Sequence, residues 1–156
     1  MNQRLLICLI FATGTLIFLT ALDSAFFPVL AARRPIISTV AGGGGPAGYC
    51  GDGGPATSAC LNFPIGVAVN GNNNLFIADT FNNPIRHFKS PGTITTVAGN
   101  GVPDFCGDNG AATSACLNFP RGVVAGDNGN LFIADTFNNR VRRVAKGIIT
   151  TVAGKR

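Results

Sequence analysis

One ten-residue string, NLFIADTFNN, occupies residues 74–83 and recurs without change at residues 130–139. Around it the repetition widens. Residues 50–64 (CGDGGPATSACLNFP) return as 106–120 with two changes, Gly53 to Asn109 and Pro55 to Ala111. Thr39-Val40-Ala41-Gly42 returns at Thr96-Val97-Ala98-Gly99 and at Thr151-Val152-Ala153-Gly154. A chain written this way folds as copies of one supersecondary unit that stack on one another, because a single copy cannot bury its own apolar face. Packing would fix only the inward positions, so near-identity through the polar turns points to recent duplication.

Each unit contains four short strand signals. Residues 66–69 (GVAV) are apolar and β-branched and stop at Asn70-Gly71-Asn72-Asn73, a hairpin turn signal. Residues 75–78 (LFIA) are apolar on both faces, which suits a strand held between two neighbouring sheets. Residues 84–89 (PIRHFK) alternate, with Pro at a tolerated first position. After Ser90-Pro91-Gly92, residues 93–98 (TITTVA) alternate again with Thr outward. The second unit repeats the series at 122–125, 131–134, 140–145 and 148–153. Four short antiparallel strands joined by tight turns at a fixed period predict β-propeller blades, over about 62–98 and 118–154. A preceding strand of the fourth type is expected at 36–41. Gly-rich loops at 42–62 and 99–118 would cross from the outer edge of one blade to the inner strand of the next. Pro55 ahead of Ala56 favours one helical turn in the first of them.

Composition agrees with this all-β class. Only 12% of residues are charged and 46% are hydrophobic, while Gly and Pro number 21 and 9, which excludes a solvated disordered polymer, a coiled coil and a helix bundle. The seven acidic residues are all Asp and there is one histidine, His87, so the usual ingredients of acid–base and metal catalysis are nearly absent. One His cannot build a three-His zinc site, and neither a G-x-S-x-G turn nor a phosphate loop ending in Lys-Ser/Thr is present.

Residues 1–34 read as a targeting segment: Arg4, then an apolar stretch at 5–22, then small residues with Ala31-Ala32 as a cleavage point. The apolar stretch has 18 residues, about 27 Å as a helix, so an uncleaved membrane anchor is the rival to a cleaved signal peptide. Either reading makes this segment an apolar helix and places residues 35–156 outside the cytoplasm.

The strings GDGGPATSA (51–59), LNFPIGVAV (61–69), NLFIADT (74–80) and NNRVR (138–142) resemble NHL repeats, in the long bacterial form similar to the NHL segment of teneurins. The resemblance spans about residues 36–154. It implies a propeller of four-stranded blades, generally six to a ring, used as an interaction platform. It also implies that Asp79 with Arg86, and Asp135 with Arg142, help hold the hairpin. Independently, an Asp closing a strand accepts turn N–H bonds, and Asn83 and Asn139 tolerate left-handed backbone. Two blades do not close a ring of about 4–8. Either they belong to a larger propeller, or three copies assemble into six blades.

The remaining candidates are weighed on their chemistry. Cys50 and Cys60, and Cys106 and Cys116, each enclose nine residues. Four cysteines allow three connectivities, and in an oxidising compartment pairing within each unit is expected. Asp52 and Asp108 lack the oxygen-rich series of a calcium loop, so no metal and no cofactor is expected. From Arg121 onward seven basic residues face Asp127 and Asp135, within a net charge of +5. The resulting expectation is a non-enzymatic, extracytoplasmic binding or scaffold module for a protein or an anionic envelope polymer. A membrane is a partner only if the leader is uncleaved, and nucleic acid is not expected. The alternative is part of a propeller hydrolase or lyase with its catalytic residues on other blades.

Overall fold

The computed structural model describes Ile7–Ile10, Leu16–Leu19 and residues 36–154. The chain divides into two units, Met1–Ile37 and Ser38–Arg156. In the first, β1 (Ile7–Ile10) pairs antiparallel with β2 (Leu16–Leu19), Ile7 opposite Leu19 and Ile10 opposite Leu16. This corrects the expected apolar helix over 5–22. The β-branched and aromatic residues of these strands favour extended backbone, and Thr13, Gly14 and Thr15 between them are weak helix formers. No helix among the described residues is long and apolar enough to cross a membrane. The cleavage point at Ala31-Ala32, and Lys155 and Arg156, lie outside the described residues.

The second unit holds two four-stranded antiparallel meanders. Blade one runs β3 (Pro64–Val69), β4 (Leu75–Asp79), β5 (Ile85–Lys89), β6 (Thr93–Ala98). Blade two runs β7 (Pro120–Ala125), β8 (Leu131–Asp135), β9 (Arg140–Ala145), β10 (Ile148–Ala153). The turns fall where the sequence allows left-handed backbone: Asn73, Asn83 and Asn139 have φ of 57°, 72° and 52°. Residues 36–41 do not form the expected strand. A fourth-type strand needs a third strand beside it, as β6 has β5, and no strand pairs with 36–41 among the described residues.

The crossing loops close each blade at its outer edge. Gly53 N–H donates to the Ile94 carbonyl and Ile94 N–H to the Gly54 carbonyl. Asn109 and Ile149, and Ile149 and Gly110, repeat those bonds in blade two. Each loop carries one short 3-10 turn, Ala56–Ser58 or Ala112–Ser114, whose first alanine is buried.

The core follows from stacking. Phe76, Ala78, Ile85 and Ala98 on the back of blade one pack with Ala112, Ala115, Leu117, Val123, Leu131, Ile133, Val144 and Ile149 on the front of blade two. A second, smaller cluster of Ala56, Ala59, Ile77 and Ile94 fills the front of blade one under its own loop. The innermost strands β3 and β7 meet through bare backbone: a Cβ on Gly66 would lie 2.5 Å from the Arg121 carbonyl oxygen and 3.0 Å from Gly122 Cα. The fully apolar LFIA string is buried on both faces in β4, as its sequence suggests. In β8 the same string alternates, because among the described residues no strand layer covers the back of blade two.

Candidate functional site

Position 86 explains why the crossing loops are fixed. Arg86, wholly buried on β5, reaches from the sheet to the loop. Its guanidinium lies 3.4 Å from Asp79 Oδ2 and 3.3 Å from Asp52 Oδ1, and it donates to the Cys50 carbonyl at 3.3 Å. Asp79, also wholly buried, accepts from Asn62 N–H at 2.7 Å and from Asn82 Nδ2 at 2.9 Å. Burial pushes the Asp79 carboxyl above the usual carboxylate range, while these donors and Arg86 pull the other way. Asn83, mostly buried, accepts Phe119 N–H from the next blade on its side-chain Oδ1 at 3.0 Å.

The arrangement recurs in blade two. Arg142 lies 3.2 Å from Asp135 Oδ2 and donates to the Cys116 and Cys106 carbonyls at 3.2 and 3.1 Å. Asp135 accepts Asn118 N–H at 2.7 Å. Asp108 is 2.9 Å from Arg142, an ion-pair distance without hydrogen-bond alignment. Asn139, the counterpart of Asn83, is exposed.

Cys50 is bonded to Cys60 and Cys106 to Cys116, each with Cα atoms 4.8 Å apart. The four cysteines, Asp79, Arg86, Asp135 and Arg142 therefore form two copies of one clip: a disulfide closes the loop, and a buried Arg–Asp pair ties that loop to the sheet. Among the described residues no group of three or more His, Cys, Asp and Glu could hold a metal ion. His87 stacks on Phe76 at 4.8 Å, and burial, with Lys89 adding to it, holds its pKa below the ordinary value.

Two features escape the sequence reading. The first is a cleft of about 750 Å³ at the blade junction, lined by Tyr49, Asp52, Asn82, Thr96, Asn100 and Val102, among others. Tyr49 packs over the Arg86 guanidinium at 4.6 Å, and its hydroxyl is 2.9 Å from Thr96 Oγ1, which donates to Asp52 at 3.1 Å. The signal was available: Tyr49 is the chain's one tyrosine, and Phe105 stands at its place in the second unit.

The second feature is an aromatic ladder across both blades. Phe63 stacks on Phe81 at 4.5 Å, Phe81 meets Phe119 edge-on at 5.3 Å, and Phe119 meets Phe137 at 4.8 Å. Arg121 lies over Phe137 at 5.4 Å. Phe63 and Phe119 have φ of 50° and 48°, a left-handed backbone that bulky residues rarely adopt. Although flanked on both sides, Phe81 is 44% exposed, so the ladder keeps an open rim.

Antiparallel four-stranded blades, stacked face to face and edged by crossing loops, make this a β-propeller repeat protein. Residues 101–156 match the family described as Teneurin NHL domain. Teneurin-4 of Homo sapiens is 34% identical over 106 residues, 58% of this chain and 4% of teneurin-4. Suppressor of Quenching 1, chloroplastic, of Arabidopsis thaliana is 31% identical over 93 residues, 58% of this chain and 8% of its own. A solved auxiliary nutrient binding protein from Bacteroides thetaiotaomicron superposes with a TM-score of 0.50 and 25% identity, covering 63% of this chain and 26% of its own. The match thus spans less than a tenth of either sequence relative. The likeness to the NHL-repeat family rests on residues 101–156, a little over a third of the chain, and on teneurin-4.

Proposed function

We propose that this chain is a non-enzymatic binding module displayed outside the cytoplasm, and that its ligand is an anionic polymer of the cell envelope. The observation that carries the reading is the Phe63–Phe81–Phe119–Phe137 ladder, exposed at Phe63, Phe81 and Phe137, with Arg121 over its end. Aromatic rings beside arginine supply large contact area and charge together, the composition favoured at binding surfaces. The net charge of +5, with exposed Arg143 and Lys146 on the same blade, attracts a polyanion. Both buried arginines and their aspartates hold loops, and His87 is stacked on Phe76, where burial lowers its pKa. Two disulfides suit an oxidising compartment, as does the leader sequence.

The test is titration of the purified full chain with polygalacturonate, with neutral dextran as the comparison. The reading expects binding to the acidic polymer alone. Affinity should weaken about tenfold or more between low and high salt, and again in an Arg121→Gln/Phe137→Ser variant. No binding at low salt, equal binding to dextran, or an unaffected variant would overturn it.

A further inference from the structure

Among the described residues there is one blade-to-blade junction and, on the two outer faces, both halves of another. On the back of blade one Phe76 is 9% exposed, because blade two covers it. On the back of blade two the identical position, Phe132, is 38% exposed, and Val124, Val141 and Val152 lie open around it. On the front of blade two Val123 is 5% exposed, while its counterpart on blade one, Val67, is 63% exposed, with Val69 open beside it. The back-face positions that are apolar in blade one (Ala68, Phe76, Ala78, Ile85) are apolar in blade two (Val124, Phe132, Ala134, Val141). The one change of character, His87 to Arg143, falls where His87 is itself only half-buried, so a cation there keeps its water.

The polar fittings are duplicated as well. Across the internal junction the Thr80 hydroxyl donates to the Pro120 backbone carbonyl at 2.8 Å, and Phe119 N–H donates to the Asn83 side-chain amide oxygen, Oδ1, at 3.0 Å. Thr136 and Asn139 offer the same hydroxyl and amide at the open end, and Phe63-Pro64 offers the same N–H and carbonyl at the other. The aromatic ladder stops at Phe137 on one side and Phe63 on the other. These are the ring types that meet internally as Phe81 and Phe119.

We propose that the chain self-associates head to tail: the back of blade two in one copy docks on the front of blade one in a second, by a junction that repeats the internal one. Phe132 of one copy takes the place of Phe76, Val67 of the other takes that of Val123, and the ladder runs on from Phe137 to Phe63. A head-to-tail contact closes into a ring when its rotation allows, and propellers close at about 4–8 blades. With the two described blades in each copy, such a ring holds two to four copies, three giving six blades. The docking faces share with the ladder only its two ends, Phe137 and Phe63, and the junction is carried by Phe132 and Val67, outside it, so this inference stands whether or not the polymer reading holds.

The test is native mass measurement of the full chain, disulfides intact, in a mild non-ionic detergent that accommodates residues 5–22. At about 50 µM, far above a micromolar dissociation constant, a closed species of two to four copies is expected. Phe132→Asp and Val67→Asp alter residues exposed within one chain, so each variant should keep the wild-type circular dichroism and run as a monomer. Mixed one to one, they should form a pair, since each retains the face the other has lost. A monomeric wild type would overturn the proposal, as would an oligomer that survives both substitutions or variants that stay monomeric when mixed.

Discussion

Arg86→Met is the substitution that probes the clip most sharply. Methionine keeps the hydrocarbon stem and removes the guanidinium from a site with no exposure, leaving Asp79 buried with only Asn62 N–H and the Asn82 amide. A charge pair at 3.4 Å attracts by about 5 kcal/mol at an effective dielectric of about 20. Breaking one partner of a buried pair costs about 3–5 kcal/mol, mostly through the charge left behind. With domain stability of about 5–15 kcal/mol and a urea slope of about 2 kcal/mol/M, the midpoint should fall by about 2 M. Urea unfolding followed by circular dichroism, with disulfides intact, measures it. Arg142→Met should lose a similar amount, because the pair with Asp135 recurs at 3.2 Å. The sign with pH follows from Asp79. Its folded pKa is already raised, and losing Arg86 raises it further. The folded variant then binds a proton more readily than the unfolded chain, so the loss shrinks as pH falls through that raised pKa. Arg86→Met/Asp79→Asn, which keeps an oxygen for Asn62 N–H without the charge, should recover part of the loss. A single-variant cost under about 1 kcal/mol, or no recovery in the double variant, would refute the clip.

Other outcomes follow from the same geometry. Replacing one disulfide with serines opens a loop of 11 residues, residues 50–60 or 106–116, and should cost about 2.8 kcal/mol at either site in the chain-entropy model; equal urea midpoints with and without the bond would contradict it. Gly66→Ala should destabilise by more than about 1–3 kcal/mol, its Cβ falling 2.5 Å from the Arg121 carbonyl, whereas Gly122→Ala meets only the Ala134 methyl at 3.4 Å and should be mild in a monomeric background. His87 has a lowered folded pKa, so the stability tied to its neutral form is present above the unfolded value and lost as pH falls below about 6.5; His87→Phe should flatten that part of the stability-against-pH curve.

The sequence makes the blades legible because their signals are local. Asn70-Gly71 and Asn82-Asn83 mark the hairpins, the four strand patterns sit between them, and the C-x₉-C pairs mark the loops. What it hides depends on partners far along the chain. Residues 75–79 and 131–135 are the same five letters, yet one strand is covered and the other half-open, and nothing in LFIAD says which copy has a neighbour. The junction cleft needs Tyr49 beside Thr96, 47 residues apart. The left-handed Phe63 and Phe119 run against the usual preference before proline. Residues 5–22 have the hydropathy of a helix, but their β-branched residues and Gly14 favour the two short strands Ile7–Ile10 and Leu16–Leu19.

The central claim is that blade two covers the back of blade one, so that identical sequences meet different surroundings. Gly66 and Gly122 lie at the centre of that contact, where the Gly66 Cβ position is 3.0 Å from Gly122 Cα. The direct measurement is a nuclear Overhauser spectrum of protein labelled at glycine α-protons, read in the monomeric Phe132→Asp variant, where only the internal junction exists. Stacked blades predict a strong α-proton cross-peak between Gly66 and Gly122. Intact β3–β4 and β7–β8 cross-peaks without that one would show two folded blades that do not pack on each other, and would contradict the account.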